Sequence, residues 1–285
     1  MKFSVVIPTY NGEKYIEQTI ESVLNQECPF DEIIVSDDNS IDKTLDICGK
    51  YADKIKIFQN KKGPSGFVNG WNNAIEKASC DYISILHQDD LLDISFLSSA
   101  KPILEKNPDI LHFFTPCGYI DETVRTTRYS YEGEGEIRRY SGLEYLKAYQ
   151  TIGDPHIHRC PGVITHRSIF EKCKYNSAAG HIADDDFFYR VGLYTDVIGL
   201  LTPLASYRHH TISETGKLDN AILAKNLFND YRYQLKQWEN NNFLDKEAFH
   251  YFIDMKHKYI KRYLGHGLKE KNLSMIFYAL KNLVG

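Results

Sequence analysis

The 285-residue chain lacks the marks of several protein classes. No apolar run approaches the roughly 18 residues that a bilayer-spanning helix requires. There is no basic excess: 34 lysines and arginines face 38 aspartates and glutamates, and a net charge of -4 gives no global positive field for nucleic acid. The six cysteines, at positions 28, 48, 80, 117, 160 and 173, include no Cys-x-x-Cys pair. That spacing argues against a zinc site or redox pair and for reduced thiols in a cytoplasmic protein. The opening MKFSVVIPTYNG holds one lysine and only a short apolar run before Pro8, too little for a signal peptide, and reads as a first strand. Two nucleotide signatures are missing as well. A dinucleotide fold needs Gly-x-Gly-x-x-Gly after its first strand, where this chain has Thr9-Tyr10-Asn11-Gly12. A phosphate loop needs Gly-x-x-x-x-Gly-Lys-Ser/Thr, but Gly216-Lys217 has Thr211 in the first glycine's place and Leu218 after the lysine. No internal repeat or low-complexity segment is present.

What remains is an ordinary globular composition, 42% hydrophobic and 25% charged. The length predicts one main domain with an appendage. Phe3 to Ile7 is a β-branched run stopped by Pro8, and Asn11 is placed to cap a helix carrying Ile16, Ile20, Val23 and Leu24 on one face. Strands are expected at 32–36, 55–59 and 82–86, with helices at 42–52 and 67–78 and a loop at Gly63-Pro64-Ser65-Gly66. Such alternation means βαβ units and a mostly parallel sheet, an α/β fold. Past Asp109 it weakens. Strands are expected at 111–115, 161–165 and 197–201, a short helix at 142–149, and a polar, Gly-rich excursion at 122–142. A helix over 182–194 opens in three aspartates, which suit a helix N-terminus, and from Leu218 the pattern is helical.

In an open α/β sheet, ligands bind beyond the carboxyl ends of the strands. Three polar clusters stand at such ends: Pro8-Thr9-Tyr10-Asn11, Asp37-Asp38-Asn39-Ser40 and His87-Gln88-Asp89-Asp90. They are expected to converge. Adjacent Asp89 and Asp90 can share Mg2+ or Mn2+, ions that bind through one or two carboxylates plus phosphate oxygens. A helix-cap pair with Asp93 accounts for the same stretch. Asp38 can accept a hydrogen bond from a nucleobase, and the Pro8-Thr9-Tyr10 turn offers backbone groups and a ring. Together they sketch a nucleotide-diphosphate site with a bridging metal.

Six segments, in this order, resemble the family 2 glycosyltransferases: SVVIPTYNGEKYIEQTIESVLNQ, EIIVSDDNSIDKT, GWNNAIEKASCDYISILHQDD, CPGVITHRSIFEK, ADDDFFYR and YRHH. The resemblance spans residues 2 to 215. It implies a GT-A fold, a Rossmann-like sheet flanked by helices, with a nucleotide-sugar half over 1–115, an acceptor-side half over 116–215 and a helical extension over 216–285. It also implies an inverting transfer that uses a nucleotide-activated sugar and a divalent metal, Mn2+ or Mg2+. Carried over by position, Pro8, Thr9, Tyr10 and Asn11 line the base. Asp38 hydrogen-bonds it, commonly uracil, and Asn72 lies among the nucleotide-sugar contacts. Asp90 contacts the metal, and Asp89 the ribose or a metal-bound water. His210 lies near the phosphates and metal. Asp184 stands as the catalytic base, in a register set by Arg190, with Asp185 as the alternative and a plain helix cap as the other reading. Three features depart from the family pattern: His87 replaces an aspartate, Ala183 replaces a glutamate, and the 63–66 loop departs from the usual Gly-x-x-x-Ala-Arg-Asn, with the arginine of the following helix missing and Gly70-Trp71-Asn72 nearby. Trp71 is read as core rather than a sugar platform.

The weaker features keep two readings each. Cys160-Pro161-Gly162 with Arg167 fits an acceptor-side turn or ordinary turn chemistry. His156, His158 and Arg159 can approach phosphates or form a solvated surface. The segment 218–285 mixes aromatics with lysines, which suits a membrane-surface helix beside a lipid-linked acceptor or a lid or homodimer contact. The expected protein is a cytoplasmic enzyme, peripheral to the inner membrane face under the first of these, that extends a surface polysaccharide or lipid-linked glycan. A nucleotide-sugar-binding module without catalysis and a sugar nucleotidyltransferase are the alternatives. The latter would want a Gly-rich, basic first loop, absent between Pro8 and Lys14.

Overall fold

The computed structural model describes residues 1–121, 126–127, 133–150, 158–210, 219–240 and 246–283. The larger sheet contains β3 (Lys56–Gln59), β2 (Glu32–Asp37), β1 (Phe3–Thr9), β4 (Tyr82–Ile85), β10 (Val163–His166), β6 (His112–Phe114), β11 (Val197–Leu200) and β9 (Ile137–Tyr140), in that spatial order. The first four are parallel; β10 and β9 run against their neighbours. The smaller sheet orders β5 (Leu91–Leu92), β12 (Ala205–Arg208), β7 (Cys117–Ile120) and β8 (Thr126–Thr127). All seven residues of β1 are buried, as a strand flanked on both edges and covered on both faces must be. Phe3, Val5 and Ile7 pack with Ile16 and Ile20 of α1 (Ile16–Leu24) and with Phe96 and Leu104 of α4 (Phe96–Lys106). α2 (Thr44–Gly49) and α3 (Phe67–Lys77) complete the βα units that carry the strand ends. The α/β architecture is therefore the expected one.

Several local expectations change. Pro8 does not stop β1: it pairs with Ser36, while pairing with β4 ends at Val6, so the missing N–H leaves no gap in that ladder. Asn11 is not the cap of α1, whose N-terminal flank is Tyr15. Instead Asn11 adopts a left-handed φ of 50° and bonds the loop after β2. Residues 160–162 form a 3-10 turn before β10 rather than the start of the strand. Of the 122–142 excursion, residues 122–125 and 128–132 lie outside the described residues, and 137–140 form edge strand β9. The short helix α5 (Gly142–Gln150) stands where expected. α6 (Arg167–Lys172) follows β10, and its Arg167 guanidinium donates to the Ala78 and Cys80 carbonyls, a structural use.

The described residues divide into two compact units. One comprises 1–175 and 188–209, the other 176–187 and 210–285. Both sheets belong to the first. The second contains α8 (Asn220–Asn240), α9 (Lys246–Lys269) and α10 (Leu273–Leu283), packed through Ala224, Phe228, Ile260 and Ala279. It also takes in most of α7 (Ala183–Val191) and the turn Ser177–Ile182 before it. Leu273, Phe277 and Leu280 of α10 form an exposed apolar stripe at helical spacing. Among the described residues, no helix is long and apolar enough to cross a membrane.

Candidate active site

β2, β1 and β4 are adjacent and parallel, so their carboxyl ends open at one edge. The three clusters meet there and are bonded to one another. Asp38 N–H donates to the Thr9 carbonyl at 2.8 Å. Asn11 N–H donates to Ser40 Oγ at 2.8 Å, and Asn11 Oδ1 accepts the Ile41 N–H at 2.9 Å. Gln88 closes the other side. Its Oε1 accepts the Tyr10 N–H at 2.8 Å and its Nε2 donates to the Tyr10 carbonyl at 3.1 Å. A side-chain amide here replaces a strand partner for the turn, leaving the Tyr10 ring exposed. A Cβ on Gly12 would stand 2.5 Å from Gln88 Oε1, which explains the glycine. Replacing Gln88 by alanine is expected to weaken nucleotide affinity about tenfold through loss of this two-bond tether. Titration calorimetry with UDP and Mn2+ checks it; parent-like affinity would contradict the assignment.

Asp38 is buried and committed. Its carboxylate accepts from Asn60 Nδ2 at 2.7 Å, Ser65 N–H at 2.6 Å and Ser65 Oγ at 3.0 Å. It thus organises the 60–66 loop, and a Cβ on Gly63 would lie 2.5 Å from its Oδ1. Asn72 is also bonded: its amide pairs with the Tyr175 backbone at 2.8 and 3.1 Å. Trp71 packs edge-on against Phe67 and Tyr175 and lies flat on the His87 ring, at 4.8 Å and 21°. The indole thereby fixes the orientation of His87.

Asp90 is fully buried. Its Oδ1 accepts the Arg208 backbone N–H at 2.8 Å; its Oδ2 has no hydrogen-bond partner and lies 3.8 Å from His87 Nδ1. Burial first, then the neighbouring Asp89 charge, push the Asp90 carboxyl well above its ordinary range, against the opposing pull of Arg208 and Arg159. A bare carboxylate oxygen in a buried position is costly unless a cation completes it, so the residue fits a divalent metal. Helix α4 is not capped by this pair: Asp93 Oδ1 accepts from Ser95 N–H and Oγ instead. Among the described residues no group of three or more His, Cys, Asp or Glu side chains gathers around a common point, so phosphate oxygens and waters would complete the coordination.

Arg208, which no motif role singles out within YRHH, is the largest fully buried side chain among the described residues. Its Nε donates to the Asp89 carbonyl at 2.7 Å, Nη1 to the Asp121 carbonyl at 3.3 Å and Nη2 to Gln18 Oε1 at 2.8 Å, and its guanidinium covers the Tyr15 ring at 4.6 Å. One cation therefore holds the carboxylate motif to α1. The short run of β12 hides it from periodicity; a charged residue ending an otherwise neutral strand was the available signal. Arg159 stacks between the Tyr119 and Tyr207 rings, at 5.7 and 5.4 Å. His158 is buried rather than solvated, with Nε2 2.7 Å from the Tyr145 hydroxyl, because Phe114 and Phe188 enclose it. His156 lies outside the described residues.

The remaining candidates sit on the second unit. Asp184, Asp185 and Asp186 form the first turn of α7; the first two are half-buried and Asp186 is buried. His210 is buried, two residues along the chain from Arg208.

A sequence profile described as Glycosyl transferase family 2 matches residues 4–173, so Asp184 and His210 lie past its end. The chain is 34% identical over 153 residues to the GalNAc(5)-diNAcBac-PP-undecaprenol beta-1,3-glucosyltransferase of Campylobacter jejuni subsp. jejuni serotype O:2, covering 52% of this chain and 48% of that protein. It is 35% identical over 116 residues to the poly(ribitol-phosphate) beta-N-acetylglucosaminyltransferase TarS of Staphylococcus aureus, covering 39% and 20%. The chain thus spans half or less of these relatives. Among solved structures it is similar to S. aureus TarS 1-349 in complex with UDP-GlcNAc, with TM-score 0.66 and 20% identity over 100% of this chain and 81% of that one. It is also similar to the mannosyltransferase PcManGT from Pyrobaculum calidifontis in complex with GDP-Man and Mn2+, with TM-score 0.61 and 14% identity over 99% and 79%. At such identities the likeness concerns the fold, which is of the GT-A type. With the profile matched over more than half its length, the chain belongs to glycosyl transferase family 2.

Proposed function

We propose that the protein is a metal-dependent inverting glycosyltransferase that moves a sugar from a nucleotide-diphosphate sugar, a UDP-sugar in the first instance, to a glycan or lipid-linked acceptor of a surface polysaccharide. The observation that carries the reading is the bare, buried Oδ2 of Asp90 at the edge where Tyr10, Asn11 and the Asp38 loop meet. The relatives' names support the acceptor class: one acts on a PP-undecaprenol glycan and another on poly(ribitol-phosphate). A neighbour in complex with UDP-GlcNAc supports the donor class.

Asp90 would hold the cation, with His210 as a further candidate and Asp89 at the ribose or a metal-bound water, and a bound divalent ion would supply charge neutralisation for the diphosphate leaving group. The turn at Pro8 to Asn11 lines the base. The bonded carboxylate of Asp38 shapes the floor of the same pocket and keeps lone-pair capacity for a base N–H. Asn72 positions Tyr175. The Asp184 carboxylate takes the proton of the acceptor hydroxyl as its oxygen attacks the anomeric carbon and the bond from that carbon to the diphosphate oxygen breaks. Attack opposite the leaving group inverts the centre.

The test is a panel of UDP- and GDP-sugars with Mn2+, followed by thermal shift and by release of the nucleoside diphosphate. Selective stabilisation with turnover in the presence of acceptor supports the reading. Binding with every donor left intact supports the binding-module alternative. Asp184→Asn is expected to keep donor affinity and lower kcat by at least about 100-fold. Near-normal turnover would move the base to Asp185.

A further inference from the structure

The segment that carries Asp184 is held by the C-terminal helices. Asp230 and Tyr233 lie one turn apart on α8. Asp230 Oδ2 accepts the His181 backbone N–H at 2.9 Å and lies 3.4 Å from His181 Nδ1. The same carboxylate covers Gly180: a Cβ there would stand 2.5 Å from Oδ1 and 2.7 Å from Cγ. Gly180 has φ 60° and ψ -127°, a conformation that favours glycine, and it breaks the 3-10 turn immediately before α7 begins. At the other end of that turn, Asn176 Oδ1 accepts the Ala178 N–H at 3.0 Å and its Nδ2 donates to the Tyr233 hydroxyl at 2.7 Å. The turn is thus fixed at both ends by one face of α8, across 49 and 57 residues of chain. Asp230 is only 13% exposed in its side chain. None of these residues falls within the 4–173 profile match.

We propose that Asp230, assisted by Tyr233, is a positioning residue for acceptor activation: it sets the break at Gly180 and so the direction in which α7 presents Asp184. The helical unit is then part of the transfer machinery, not an appendage. This rests on Asp184 being the base. Its physical ground is that a carboxylate accepting a backbone N–H through a charge-assisted bond fixes the preceding residue more tightly than a neutral contact can. A displacement of about 1 Å in a general base costs on the order of 100-fold in rate.

The experiment compares Asp230→Ala, Asp230→Asn and Tyr233→Phe in the full chain. UDP affinity with Mn2+ is read by calorimetry, and kcat and acceptor KM by product formation. Asp230→Ala is expected to lower kcat by at least about tenfold at unchanged UDP affinity, with Asp230→Asn, which can still accept the His181 N–H, recovering most of the loss. Parent-like kcat in Asp230→Ala overturns the proposal, as does a fall in UDP affinity equal to the fall in kcat. If Asp230→Ala gives no cooperative thermal transition, Tyr233→Phe decides alone: a selective loss of kcat supports the proposal and parent-like kcat overturns it. Asp184→Asn, run beside them, separates the two readings. Normal turnover in that variant removes the base assignment, whereas an inactive Asp184→Asn beside a fully active Asp230→Ala removes only the role of Asp230.

Discussion

Replacing Asp90 by asparagine is expected to bring nucleotide affinity down to the level measured without a divalent cation, a loss on the order of 100-fold in the presence of Mn2+. The cause is local. Oδ1 is occupied by the Arg208 N–H, so Oδ2 alone remains for a ligand, and asparagine keeps an oxygen for the backbone bond while removing the charge a cation needs. Calorimetry of UDP with and without Mn2+ isolates the effect, because the cation-free affinity of parent and variant should coincide. A variant with the parent's Mn2+ dependence would place the cation elsewhere. His210→Ala in the same assay tells whether the histidine contributes.

Arg208→Met is expected to cost about 3–5 kcal/mol of folding stability, the range for removing one partner of a buried charged network. The variant keeps the backbone bond to Asp90 but removes the guanidinium bonds to the Asp89 and Asp121 carbonyls and to Gln18 Oε1, together with a positive charge that acts on the buried Asp90. In a chain of this size the loss corresponds to a fall in melting temperature on the order of 10 °C. Arg208→Lys is expected to recover little, since an ammonium cannot serve three acceptors in the planar fork and lie over Tyr15 at once. Thermal and urea melts of both variants measure this. A shift smaller than about 2 °C for Arg208→Met would mean that water replaces the guanidinium without penalty.

The first half of the fold was legible because its elements are long, strongly patterned and punctuated. β1, β2, β4, α1 and α3 stand within a few residues of their expected limits. Legibility fell where elements shrink. β5, β7 and β12 are too short for alternation to register, so the second sheet was not foreseen. The meeting of the three strand-end clusters followed from strand order alone, since parallel neighbours share a carboxyl edge. What the pattern could not show is which side chains were already engaged. Asp38 is also the hub of a loop, and Asn72 also holds Tyr175. Gln88 carries no local signal between a histidine and two aspartates, although its amide ties two clusters together. Such assignments depend on contacts across 78 or 103 residues of chain, to which local sequence is blind.

The chain passes between its two compact units three times, at 175/176, 187/188 and 209/210. No single cut can therefore release an intact sheet unit. Ending the chain at 209 leaves the twelve-residue insert 176–187 without the helices that organise it, and an exposed tether of that kind invites proteolysis. A minimal donor-binding fragment requires a graft, with a short linker from 175 to 188 replacing the insert. Conversely, exchanging the stretch from 210 onward between relatives transplants a support without the piece it supports. Chimeras meant to alter acceptor choice should carry 176–187 and 210–285 together.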